Sequence, residues 1–182
     1  MRTPPIFALV VALASLPLVT ACSTHPPAQW AQGGAQLGIG RARWERGADT
    51  VDITEDGRVL IDGDHVWTLD AAGRVMDPDK DPVALLAADG RLMGNGDEPL
   101  GQIGMANASP PGGSAAWLSL APTGQVVLYD PEGERRAGGG WAGCQGPVFR
   151  TCTLVTHLVV FREMQRRPRV GFGLGVGVGI HR

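Results

Sequence analysis

The sequence predicts a mainly β protein: an antiparallel meander of hairpins that forms a small barrel or a two-layer sandwich, followed by a C-terminal β-hairpin. Three observations predict it. Turn kernels made of Gly, a polar residue and an apolar residue return nearly in step along the chain. The segments between them are rich in β-favouring side chains. The 27 Gly and 14 Pro together exceed a fifth of the 182 residues, which favours many turns over long helices.

The kernels are Asp56-Gly57-Arg58-Val59, Ala72-Gly73-Arg74-Val75, Asp89-Gly90-Arg91-Leu92 and Thr123-Gly124-Gln125-Val126, with glycines 16, 17 and 34 residues apart. Because 34 is twice 17, one beat is missing. It falls at Asn107, a residue type that tolerates positive φ. Asp-Gly between alternating apolar segments signals a hairpin with a type I′ turn, which needs positive φ at both central residues. Val59, Ile61, Val66 to Leu69, Ala116 to Leu120 and Val126 to Tyr129 supply the flanking strands. A strand-turn-strand unit of about 16 residues, repeated over 48–134, is the simplest organisation.

The expected C-terminal hairpin begins with the β-branched, apolar run Thr151 to Phe161 and turns through the basic stretch Arg162 to Arg169. It returns through Val170 to Ile180, where apolar residues alternate strictly with glycine. Period two puts Val170, Phe172, Leu174, Val176, Val178 and Ile180 on one face, and Gly171, Gly173, Gly175, Gly177 and Gly179 on the other. A bare glycine face admits another backbone, sheet or ring at close range. It is the candidate partner-facing strand. A dinucleotide site would need Gly-x-Gly-x-x-Gly leading into a helix, so this glycine series does not predict one.

The first 22 residues read as a processing signal. Arg2 gives a minimal positive region, and Ile6 to Val19 is apolar apart from Ser15 and Pro17. Fourteen helical residues reach only about 21 Å, short of the roughly 30 Å hydrocarbon core. The end of this stretch, Val19-Thr20-Ala21-Cys22, resembles the lipobox of bacterial lipoproteins. The resemblance implies lipid on the Cys22 thiol, cleavage after Ala21 and an address in the cell envelope. Ser23 stands where an Asp often holds enterobacterial lipoproteins in the inner membrane, so the outer membrane is the expected destination. Residues 1–21 are then a signal peptide, 22–36 a lipidated tether and 37–182 a single β-rich domain, in which 135–182 holds a disulfide loop and the terminal hairpin.

Of the three cysteines, lipidation of Cys22 would leave an even pair, Cys144 and Cys152, expected as a disulfide outside the cytoplasm. Closing that nine-residue segment is worth about 2.5 kcal/mol on a loop-entropy estimate. The competing reading makes Cys144 a nucleophile with His157 as its base, in an envelope hydrolase or transferase acting on cell-wall or surface glycans. Gly143-Cys144 resembles the Gly-Cys element of envelope cysteine transpeptidases. However, Gln145-Gly146-Pro147 follows without the expected basic residue, and no His partner is evident upstream.

Metal and cofactor signals are weak, and no cofactor is expected. Cys144, Cys152 and His157 lack paired short spacing and a fourth ligand for zinc. Asp77-Pro78-Asp79-Lys80-Asp81 resembles the start of a calcium loop, but Pro82 stands where the turn glycine belongs and Ala88 where a bidentate Glu belongs. Gly112-Gly113-Ser114-Ala115-Ala116 lacks the closing glycine of a nucleophile elbow. Trp67 and Trp117, in strand-like runs, are expected in the core.

Charge is uneven. Cys22 to Glu134 holds 17 acidic and 7 basic residues, whereas Arg135 to Arg182 holds 8 basic and one acidic. The arginines at 162, 166, 167 and 169 suit lipid or lipopolysaccharide phosphates, or folding against the acidic body. With an export signal and a total charge of −2, nucleic acid is not an expected partner. The expected partners are the membrane, through lipid on Cys22, and an envelope protein or glycan. The reading is a lipid-anchored protein with a binding or scaffolding β domain.

Overall fold

Twelve short strands follow one another in chain order, each antiparallel to the next, and the last closes on the first. They are β1 (Ala42–Arg46), β2 (Asp49–Ile53), β3 (Arg58–Ile61), β4 (Asp64–Leu69), β5 (Arg74–Met76) and β6 (Pro82–Leu86). After them come β7 (Arg91–Gly94), β8 (Pro99–Ile103), β9 (Asn107–Ser109), β10 (Leu118–Leu120), β11 (Gln125–Tyr129) and β12 (Arg135–Ala142). A computed structural model describes residues 25–166 of this chain. The meander is therefore a closed barrel, not a sandwich, and among the described residues no strand edge is left unpaired.

The kernel glycines sit where the sequence places turns, but the turn type differs. Gly57 N–H donates to the Thr54 carbonyl and Thr54 N–H to that of Arg58, and the same pair of bonds recurs from Asp70, Ala87 and Ala121. Among Gly57, Gly73, Gly90 and Gly124, φ lies between +79° and +91°, while Asp56, Ala72, Asp89 and Thr123 are not left-handed. This is a three-residue loop, a type I turn closed by a left-handed glycine. The two-residue loop with both residues at positive φ occurs at the opposite end of a strand pair, at Asp62 (φ +52°) and Gly63 (φ +90°).

The repeat continues through the missing beat. The carbonyls of Gly57, Gly73, Gly90 and Gly124 accept from the N–H groups of Leu69, Leu86, Ile103 and Trp141. Between them, Ala106 accepts from Leu120 at 2.7 Å. The beat therefore belongs to Ala106, one residue before Asn107. The cause is a turn one residue shorter: six positions separate Ile53 from Val59, Leu69 from Val75 and Leu86 from Leu92, but five separate Ile103 from Ala108. All these apolar residues are buried and face the barrel interior.

A twelve-stranded barrel is too wide for its own side chains to fill, since about eight strands already enclose a side-chain-filled interior. Here a helix of about 10 Å diameter takes the space. Helix α1 (Phe149–Arg166) has nine consecutive buried residues, Thr151 to Val159. Burial on every side is what an all-round apolar helix requires. This corrects the expected C-terminal hairpin: Thr151 to Phe161 is the barrel's central helix, not a strand. Thr153 and Thr156 return their hydroxyls to the carbonyls of Phe149 and Cys152, so these β-branched residues carry their polar atoms into the interior already bonded. The other arm, 170–180, lies outside the described residues.

One end of the barrel carries the kernel loops, and the other, the far rim, carries loops 46–49, 61–64, 76–82, 94–99, 109–118 and 129–135. The helix crosses from the first to the second. Thr151 donates to the Gly38 carbonyl at the kernel end, whereas Arg162 lies over Trp67, 5.7 Å from the ring centroid, and Glu163 meets Arg46 at 2.8 Å near the far rim. Of the residues expected to form a tether, 25–36 are part of the body. Gly96 N–H donates to the His25 carbonyl and Ala28 N–H to Asp97 at the far rim. The chain then crosses β6 and β7, Arg74 binds the carbonyls of Trp30 and Ala31, and Ala35 and Leu37 are buried against the kernel loops.

Gly124 tests the close packing at that end. A Cβ there would lie 2.1 Å from the Trp141 carbonyl oxygen at φ +89°, while at Gly63 a Cβ meets nothing within 4 Å at φ +90°. Gly63→Ala should therefore cost only the conformational penalty of about 1–2 kcal/mol. Gly124→Ala, which must also break the barrel ladder, should cost roughly 3 kcal/mol or more by overpacking and backbone strain together. Urea midpoints of the two variants, followed by tryptophan fluorescence, check the difference.

Candidate functional site

Cys144 and Cys152 form a disulfide, with Cα atoms 6.1 Å apart. It joins the turn after β12 to the first turns of α1 at the kernel end. The sulfur that the competing reading needs as a nucleophile is thus bonded to its neighbour on the helix.

His157 is fully buried in the barrel interior. Its Nε2 lies 2.8 Å from the Leu100 carbonyl, which can only accept, so the proton is on Nε2. Nδ1 then accepts from Trp117 Nε1–H at 3.1 Å. Burial pushes the imidazole down to about 4, against the partly offsetting hydrogen bond to Leu100. Both nitrogens are engaged, and the ring stacks on Phe161 with centroids 6.0 Å apart. Gly101 makes this possible, because a Cβ there would meet His157 Cε1 at 2.6 Å. His157 fixes the helix in the barrel and does not serve as a base toward Cys144.

The remaining candidates are dispersed. Asp77 accepts from the N–H groups of Asp79 and Asp81, so its carboxylate organises the loop between β5 and β6. Among the described residues, no group of three His, Cys, Asp or Glu side chains is disposed to hold a metal. Ser114 is exposed in the loop between β9 and β10. Trp67 is buried and Trp117 half-buried, in keeping with the core expected of them. Trp44 and Trp141 stack on each other at 5.7 Å directly across the β1–β12 seam. Cys22 and the glycines at 171, 173, 175, 177 and 179 lie outside the described residues.

What the far rim does bring together is two open grooves on either side of the emerging helix. One, of about 520 Å³, is floored by Ile61, Val66 and Val159 and edged by Asp62, Asp64 and Arg162. The other, of about 430 Å³, is floored by Trp117, Leu128 and Val160 and edged by Asp130, Glu132 and Arg136. Arg162 and Arg166 thus stand among the acidic loops, as a basic helix end folded against an acidic body does. These are apolar floors with charged margins, suited to contact with a chain or a headgroup. They were not legible in the sequence, because they arise only where a helix passes through a barrel mouth.

The outer wall is polar: Arg43, Glu45, Arg58, Arg91 and Gln102 are exposed on it. Strands of three to eight residues are also shorter than the 9–11 that a bilayer-crossing strand needs. The described barrel is thus not dimensioned to cross a membrane. The chain matches no protein-family model, no curated protein and no solved structure.

Proposed function

We propose that this chain is a lipid-anchored envelope protein, moored through Cys22, whose β domain binds or scaffolds another envelope component. The observation that supports a binding surface is the filled interior. In a barrel of this size the mouth and lumen are where a small molecule would enter, and here α1 occupies the lumen with Thr153, Thr156 and His157 bonded inside. The domain meets its surroundings through its rims and outer wall. The Gly-alternating segment 170–180, which the sequence predicts as a strand, is the segment we assign to the partner.

Two measurements in intact cells test this reading. Radiolabelled palmitate should enter the wild-type protein and not Cys22→Ala, with processing blocked by globomycin. Photocrosslinkers at Val170, Leu174 and Val178 should return a defined envelope protein or glycan adduct. Absence of label in the wild type sinks the anchor, and absence of any adduct from all three positions sinks the partner-facing strand.

A further inference from the structure

We infer that the far rim is the membrane-facing surface of the domain and rests on a zwitterionic phospholipid headgroup layer; this rests on the lipid anchor proposed above. The first argument is reach. Three residue steps separate Cys22 from His25, and a fully extended chain spans at most about 3.6 Å per residue, so the modified sulfur lies within roughly 11 Å of the His25 backbone plus its own side chain. His25 and Ala28 are held to the far rim by Gly96 N–H at 2.8 Å and by Asp97 at 2.9 Å. Downstream slack is removed by the bonds from Arg74 to Trp30 and Ala31 and by the burial of Ala35 and Leu37. The anchor therefore cannot let the barrel turn its kernel end to the bilayer without unpicking this strap.

The second argument is independent of the first. Helix α1 leaves the barrel through the same rim, so the chain after Arg166 also starts there. Both connections out of the described body lie at one end, and the kernel end carries neither. A bilayer at the far rim therefore lies beside the point where each of them starts.

The third argument is charge. The far-rim loops 62–64, 77–81, 97–98 and 130–134 carry carboxylates, and Arg162 and Arg166 stand at the mouth within them. A zwitterionic headgroup offers an outer ammonium to the carboxylates and an inner phosphate to the guanidiniums. With the anchor within roughly 11 Å of the rim, a distance comparable to the Debye length of about 8 Å, these charges act on the surface with partial screening. Anionic lipid should therefore weaken the seating and not strengthen it.

The test uses the purified full-length lipoprotein, its lipid verified by intact mass, in phosphatidylcholine vesicles carrying a fraction of headgroup-nitroxide lipid. A fluorophore is attached through Asp79→Cys or Glu132→Cys at the far rim, and through Glu55→Cys or Thr123→Cys at the kernel rim. Far-rim probes should be quenched at least threefold more than kernel-rim probes, and a fraction of phosphatidylglycerol should reduce the difference. Inserting twelve Gly-Ser residues between Thr24 and His25 should abolish most of it while the lipid mass is retained. Equal quenching at both rims with lipid present, or stronger quenching at the kernel rim, would overturn the orientation and leave the anchor standing. A product without lipid would overturn the anchor and this inference together.

Discussion

Trp141→Ala should cost at least about 4 kcal/mol and leave a protein that is largely unfolded at moderate urea. Removal of a buried tryptophan typically costs 3–5 kcal/mol, and three features put this one at the upper end. Trp141 pairs directly with Trp44 where the last strand meets the first, so it sits on the seam that turns a sheet into a barrel. Its ring stacks on Trp44 with planes 18° apart. Its Nε1–H donates to Thr156 Oγ1 at 2.9 Å, tying the seam to the central helix. Against a total stability of 5–15 kcal/mol, such a loss removes much of the margin. Trp141→Phe keeps an aromatic ring and loses the hydrogen bond, so about 1–2 kcal/mol is expected. Urea denaturation and hydrogen exchange of β1 and β12 measure both. A Trp141→Ala variant within about 1 kcal/mol of wild type would mean the seam is held elsewhere.

The meander was legible because its signal is backbone chemistry. A left-handed residue at each turn demands glycine, and four of the five beats use it. The fifth falls one residue before the position the spacing predicts, because the turn between Ile103 and Ala108 is one residue shorter, and in it Gly104 N–H donates to the Asn107 carbonyl. The choice of turn type was also beyond the dipeptide. Asp56-Gly57 and Asp62-Gly63 are the same two residues, yet one lies in a three-residue loop and the other forms the entire two-residue loop. The length of the loop separates them, and local sequence does not state it.

Helix α1 was misread for a different reason. Valine and threonine favour strands on a pleated, half-buried surface, and Thr151 to Phe161 contains six of them. Burial on all sides overrides that preference, since each threonine hydroxyl finds a carbonyl and each valine packs against the wall. The available clue was length: eleven apolar-rich residues exceed the 4–8 expected of a buried strand. The strap formed by residues 25–40 carried no clue at all. Its Pro and Gly content is that of a linker, and only the outward-facing apolar side chains of β6 and β7, Leu85 and Met93, give it somewhere to lie. The paired cysteines were readable by arithmetic alone, but their place beside the helix start was not.

Lowering the pH from 7.5 to 4 should remove about 3 kcal/mol of stability through His157 alone. In the unfolded chain the imidazole takes a proton near pH 6.5; in the barrel it resists until about 4. Between those values the unfolded state binds more protons than the native state, so stability falls as the pH falls through that window. The contribution is complete above the unfolded value and is lost progressively below it. About 2.5 pH units at 1.36 kcal/mol each gives the magnitude. The structural reason is burial inside a wall formed by Leu100, Gly101, Trp117 and Phe161, none of them charged, and protonating Nδ1 would in addition set its N–H against that of Trp117. Asp56, Asp89 and Asp130 are held below the usual range, chiefly by the Thr54 hydroxyl and by the N–H groups of Arg91 and Glu134, and what they contribute is lost as the pH falls through the usual carboxylate range toward their lowered values, so they add to the decline only at the acid end of this window. His157→Gln can still donate to Leu100 and accept from Trp117, but it has nothing to titrate. Its stability should be lower than wild type at pH 7.5 and should lack the decline between pH 6.5 and 4. Parallel pH profiles for the two proteins would show that the imidazole is neither as buried nor as neutral as this barrel makes it.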